Sequence, residues 1–143
     1  MSDTNNFDVV VIGAGPGGYV AAARAAALGL RTAVVEKDSE LGGTCLHRGC
    51  IPTKALLHAA DVYGEIKDAA KIGIVADGVL VEWEKVQKHK SQIIKANAAG
   101  VRHLMKGRQV EVVNGFGSLL DPNTVRVRND AGQEAKLATK NVI

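Results

Sequence analysis

Apolar runs alternate with polar and glycine-rich breaks along most of the chain. Phe7-Asp8-Val9-Val10-Val11-Ile12 is short, apolar and β-branched, as a parallel strand buried on both faces must be. Gly13 to Gly18 breaks the run. Tyr19 to Leu28 is dense in alanine and predicts a helix, ended by Gly29. Thr32-Ala33-Val34-Val35-Glu36 predicts a second strand that closes on a carboxylate, and Lys37 to Glu40 predicts a loop. Ala55 to Tyr63 reads as a helix, and Gly64 to Gly78 as mixed surface loop. Val81 to Lys106 predicts one long helix with Trp83, Val86, Ile93, Ile94, Val101, Leu104 and Met105 on an approximate apolar face and a lysine-rich solvated face opposite. Val110 to Asn114 and Thr124 to Arg128 predict further strands, with turns at Asp121 to Asn123 and Asn129 to Gly132. Ala135 to Ile143 begins another strand and stops among apolar residues, so a fragment of a longer chain is expected.

The order strand, G-x-G-x-x-G, helix, strand, acid gives the glycines a physical job. Gly13 makes the tight turn, Gly15 lets a pyrophosphate approach the backbone, and Gly18 lets helix and strand pack closely. The helix N-terminus offers free N–H groups and partial positive charge to phosphates. Glu36, eighteen residues after Gly18, can accept hydrogen bonds from an adenosine ribose. This pattern does not separate FAD from NAD. Gly115-Phe116-Gly117 reads either as backbone lying close to a ligand or as a plain turn.

Both cysteines lie in Gly42-Gly43-Thr44-Cys45-Leu46-His47-Arg48-Gly49-Cys50-Ile51-Pro52-Thr53-Lys54. In a regular helix residues five apart are roughly 8–9 Å apart at Cα, beyond the reach of about 7 Å that a disulfide allows. A turn distorted at Gly49 or Pro52 can bridge them. Two separate buried thiols are the alternative, and a metal site on Cys45, His47 and Cys50 would have only three ligands.

With 143 residues and 46% hydrophobic content the chain can bury a core. A net charge of +3 and 3% aromatic residues give no case for nucleic acid. No apolar run approaches membrane-spanning length. The start, Met1 to Asn6, is polar and lacks the features of a secretion signal, so a reducing, cytoplasmic location is expected. A disulfide there points to catalysis rather than scaffolding.

Through Val10 to Tyr19 and Gly42 to Leu57 the chain resembles the flavin disulfide oxidoreductases, the class I pyridine nucleotide-disulfide family, and within it the members that oxidise dihydrolipoyl groups. It departs at His47-Arg48, where many members carry Asn-Val. The resemblance implies an α/β fold: a Rossmann-like FAD-binding domain over residues 1–143, with a parallel sheet, a small antiparallel β element and a truncated C-terminus. The NAD-binding and dimerisation domains would be absent from this chain. It implies a Cys45–Cys50 redox disulfide, with Cys45 facing the dithiol substrate and Cys50 against the flavin. Gly13, Gly15, Gly18, Glu36, Lys37, Gly43, Thr44, Lys54 and Gly117 would bind FAD, and no metal is implied. Electrons would pass to NAD+. The implied partners are a second copy of the protein and the lipoyl domains of 2-oxo acid dehydrogenase complexes or the glycine cleavage system. An NADPH-dependent reductase of the glutathione or mercuric type, or a non-catalytic flavin-binding redox module, are the alternatives.

Overall fold

A computed structural model describes residues 6–143; of the polar start read above, Met1 to Asn6, all but Asn6 lies outside the described residues. The order is β1 (Asn6–Ile12), α1 (Pro16–Ala27), β2 (Thr32–Glu36), α2 (Gly43–His47), α3 (Cys50–Asp68), a 3-10 turn (Ala69–Ile72), α4 (Trp83–Gly107), β3 (Glu111–Asn114), β4 (Phe116–Asp121), β5 (Thr124–Arg128) and β6 (Glu134–Val142). The chain divides into two compact units. One takes the chain up to Gly43 together with Ala98–Ile143, and the other is Thr44–Asn97.

The first unit holds a six-stranded sheet in the order β3-β2-β1-β6-β5-β4. β1 pairs in parallel with β2 and β6, and β2 with β3. β4, β5 and β6 form an antiparallel meander. The expected parallel sheet and small antiparallel element are therefore joined in one sheet. All five residues of β2 are buried, as a strand covered on both faces requires. β6 serves both parts: its register opposes Ala138 to Thr124 in β5 and to Asn6 in β1.

The core joins the two parts of the sheet. Phe7, Val10, Ala33 and Val35 of the parallel strands cluster with Val125, Val127 and Leu137 of the meander. Burying each valine or larger side chain fully is worth about 1.5–3 kcal/mol. α1 packs on β1 and β2. Its last turn closes with the Gly29 N–H donating to Ala26 O and the Leu30 N–H to Ala25 O, the paired bonds of a glycine-ended helix. Ala98, Val101 and Met105 are the buried residues of α4, all on its C-terminal stretch.

In the second unit α3 is longer at both ends than the predicted Ala55 to Tyr63. Pro52 is the third residue of α3, inside the first turn, where a missing N–H removes no helical bond. Gly64 lies within α3, and nothing stands within 4 Å of where its side chain would begin, so the helix passes through it. The stretch read as loop from Gly64 is thus helical to Ile72, and only 73–82 is irregular. The other difference is β4. The residues after Gly117 are a strand, paired with β5 from Phe116 to Asp121. Among the described residues no helix is long and apolar enough to cross a membrane.

Candidate functional site

The glycine turn sits at the C-terminal ends of β1 and β2, where the Gly13 N–H donates to Val35 O at 2.7 Å. Gly15 caps α1 and Pro16 is its first residue, and no side chain bonds to the helix start. The first-turn N–H groups of α1 are therefore not engaged by a side-chain cap, as an anion site requires. A Cβ at Gly15 or at Gly17 would meet nothing within 4 Å, so the outer face of this turn is open. Gly18 is different: a Cβ there would lie 1.8 Å from Gly13 O and 3.4 Å from Val11 Cγ1. Its glycine is dictated by the chain's own backbone, in the helix-packing role expected for it.

Glu36 is buried, and both carboxylate oxygens are engaged. Oε2 accepts the Ala14 N–H at 2.7 Å, and Oε1 accepts the Asp38 N–H at 3.0 Å. The acid thus holds the middle of the glycine turn and the start of the following loop. Each oxygen keeps a second lone pair for another donor. Lys37, next in the chain, is exposed.

Gly42 and Gly43 close on the same turn. The Gly42 N–H donates to Ala14 O at 2.8 Å. Gly43 has φ +62°, and a Cβ on it would stand 2.8 Å from Gly15 Cα. Gly117 completes the group: its Cβ would be 3.0 Å from Val35 Cγ1 and 3.1 Å from Ile12 Cγ2. Neither a plain turn nor ligand approach alone explains it, since the strand β4 itself lies over the ends of β1 and β2 there. Gly13, Gly15, Gly18, Glu36, Gly43 and Gly117 are therefore gathered at one edge of the first unit. Ala14 and Gly42 belong with them and were not singled out from sequence, because their part is played by backbone atoms. The paired glycines before Thr44 were the available signal. A cavity of about 410 Å³ in the same unit, bordered by Ser39, Leu41, Arg102 and Asn114, takes in none of these glycines.

Thr44, Cys45, Cys50 and Lys54 belong to the second unit. Cys45 and Cys50 are joined as a disulfide with their Cα atoms 4.7 Å apart. The local fold explains how five residues are spanned. α2 ends at His47, one further turn closes with the Arg48 N–H donating to Thr44 O at 2.9 Å, and Gly49 breaks the helix with φ −122° and ψ −104°. Cys50 then opens α3 as its first residue, and no side chain caps that start. Cys45 is half-buried, while Cys50, Thr44 and Lys54 are exposed.

A cysteine at a helix N-terminus is a favoured site for a thiolate, because the unpaired first-turn N–H groups point at the sulfur. The pair is thus placed asymmetrically: Cys50 opens the 19-residue α3, whereas Cys45 lies within the five-residue α2. Lys54, one turn further into α3, adds a positive charge on the same helix.

Against known proteins, a family model described as pyridine nucleotide-disulphide oxidoreductase matches residues 7–143. The chain is 50% identical over 135 residues to the dihydrolipoyl dehydrogenase of Bacillus subtilis, covering 90% of this chain and 28% of that protein. It is 47% identical over 137 residues to the dihydrolipoyl dehydrogenase of Geobacillus stearothermophilus, covering 95% and 28%. Against the mitochondrial dihydrolipoyl dehydrogenase of Schizosaccharomyces pombe it is 44% identical over 144 residues, covering 99% and 28%. The chain spans a little over a quarter of the length of these curated relatives.

Proposed function

The chain belongs to the pyridine nucleotide-disulphide oxidoreductase family, and from that premise we propose that it is the N-terminal flavin and disulfide part of a dihydrolipoyl dehydrogenase. The observation that carries the proposal is the Cys45–Cys50 disulfide with Cys50 at the head of α3. In this reading a dihydrolipoyl thiolate attacks the Cys45 sulfur. The Cys45–Cys50 bond breaks, its electron pair goes to Cys50, and the first turn of α3 holds the resulting thiolate. A mixed disulfide now joins the substrate to Cys45. The second substrate thiolate attacks its own sulfur in that mixed disulfide, closes the lipoyl ring and expels Cys45 as thiolate. The dithiol has lost two electrons and the cysteine pair has gained them. The lower proton affinity of the leaving sulfur speeds such an exchange, which favours Cys45 as the attacked atom and Cys50 as the leaving one.

The chain's own residues suit a dinucleotide cofactor. The open face of Gly15 and the uncapped start of α1 fit a pyrophosphate, and the spare lone pairs of Glu36 fit a ribose hydroxyl. Lys37, Gly43, Thr44, Lys54 and Gly117 are assigned to the same cofactor. FAD, when bound, supplies the two-electron acceptor through which the disulfide is regenerated, with NAD+ as terminal acceptor. Cys50, the more exposed residue of the two, is the one assigned to the flavin side. Residues 1–143 are assigned to the FAD-binding domain. The full-length protein would act in the cytoplasm as a homodimer on lipoyl domains of 2-oxo acid dehydrogenase complexes or the glycine cleavage system.

The test is steady-state turnover by the full-length, flavin-loaded protein. Reduction of NAD+ by dihydrolipoamide is expected. Absence of that activity, with NADPH-dependent reduction of another disulfide in its place, would sink the proposal.

A further inference from the structure

No carboxylate stands between Glu40 and Asp61, a stretch that contains both sulfurs. Apart from the cysteines, its ionisable side chains are His47 at the end of α2, Arg48 just after it, and Lys54 and His58 on α3, all of them bases. The two sulfurs are placed differently in this stretch. Cys50 has the start of α3. Cys45 lies within the five-residue α2. Arg48 follows it by three residues in the same helical turn, closed by the bond from the Arg48 N–H to Thr44 O. Residues so spaced lie on one face with their Cβ atoms about 5–6 Å apart. Arg48 is exposed, and its guanidinium is permanently charged.

We propose that Arg48 is a positioning charge for Cys45: it favours the Cys45 thiolate after reduction, as the start of α3 does for Cys50. The inference deepens the reading above and rests on Cys45 being the sulfur that exchanges with the substrate. When the second substrate thiolate closes its own disulfide, the bond between Cys45 and the substrate breaks and its electron pair stays on Cys45. A guanidinium one turn away stabilises that leaving thiolate. In the reverse direction it keeps Cys45 anionic, the form that attacks a disulfide.

The experiment reduces the full-length, flavin-loaded protein with dithiothreitol and alkylates it with iodoacetamide from acid to alkaline pH. Adducts on Cys45 and Cys50 are read separately by peptide mass. Arg48→Gln slows alkylation of Cys45 near neutral pH about threefold, the factor that one unit charge about 6 Å away supplies in water-like surroundings. It also moves the Cys45 profile to higher pH. Arg48→Lys restores most of the rate, and added salt narrows the gap between wild type and Arg48→Gln. Identical Cys45 profiles in the wild type and both variants would overturn the role of Arg48 and leave the function untouched. Labelling confined to Cys50 would overturn the assignment of the exchanging sulfur, and the inference with it.

Discussion

Glu36 Oε2 accepts the backbone N–H of Ala14 at 2.7 Å, tying the last residue of β2 to the middle of the glycine turn that follows β1. The side chain most suited to a ribose is therefore also part of the scaffold that shapes the phosphate turn. Replacing Glu36 by glutamine separates the two duties. The amide keeps one acceptor and turns a donor toward either the Ala14 or the Asp38 N–H. A buried donor left without an acceptor costs about 1–3 kcal/mol. Glu36→Gln should lower the thermal midpoint of the flavin-free protein as well as weaken flavin retention. An unchanged midpoint with weakened retention would leave only the ribose role.

Gly18→Ala places a methyl 1.8 Å from Gly13 O, a backbone atom that cannot turn aside. The expected cost is about 3 kcal/mol or more. Urea unfolding of the flavin-free protein checks it. A variant as stable as the wild type would show that α1 can back away from the turn.

The two glycines that flank Phe116 should behave differently. A side chain at Gly115 needs φ near +144° and lies 2.7 Å from Arg128 O. Gly115→Ala is expected to cost about 3 kcal/mol. At Gly117 the obstacles are side-chain methyls of Val35 and Ile12 at 3.0 and 3.1 Å, so a smaller displacement suffices than at Gly115. Gly117→Ala is expected to cost about 1 kcal/mol. Comparing their urea midpoints tests the order, and a reversal would refute it.

Cys50→Ser should abolish dihydrolipoamide turnover in the full-length protein and remove the long-wavelength charge-transfer absorbance that appears on two-electron reduction. Cys45→Ser should also abolish turnover yet leave a thiolate at Cys50. If the absorbance survives in Cys50→Ser, the flavin-side sulfur has been misassigned.

At the other end of β1, Asp8 Oδ1 accepts from Lys140 Nζ at 2.7 Å and Asp8 Oδ2 accepts the Arg31 N–H at 2.9 Å. The hydrogen bond from Lys140, then that from Arg31, hold the Asp8 carboxyl below the usual carboxylate range, and the same bond to Asp8 raises Lys140. A lowered carboxyl contributes stability above its unfolded value, and that contribution fades as pH falls through the folded one. A raised lysine contributes below its unfolded value and loses that contribution as pH rises through the folded one. The stability difference between wild type and Asp8→Asn should therefore be full near neutrality and shrink toward zero in acid. Urea midpoints across pH read it directly. A difference constant into strong acid would mean that the carboxylate charge contributes nothing.

Much of this was legible in the residues. β1 and β2 are runs of β-branched residues with no polar interruption beyond Asp8, so their burial could be read without a partner in view. α4 announced itself by its apolar spacing. The full length of α3 was hidden by Pro52 and Gly64, residues that usually mark boundaries but here occupy a first turn and an open helix face. β4 was hidden for the opposite reason. Phe116, Leu119 and Leu120 are all exposed, so no alternation toward a core marks the strand, and its pairing with β5 defines it. At the candidate site Gly13, Gly15, Gly18 and Glu36 could be named from spacing, whereas Gly43, Gly117 and the roles of the two cysteines came from the resemblance. The contacts made through backbone atoms of Ala14 and Gly42 could not be named, because any residue carries those atoms.

β6 has a consequence for how the protein is made. Its residues complete the pairing of β1, yet Asn6 of β1 pairs with Ala138 of β6, far along the sequence. Bringing such distant segments together is slow, because the chain entropy lost on closing the loop precedes the contacts that reward it. On the ribosome, β1 must therefore wait with one edge bare until β6 has emerged. During that interval the apolar run of Val9, Val10 and Val11 carries an unpaired strand edge.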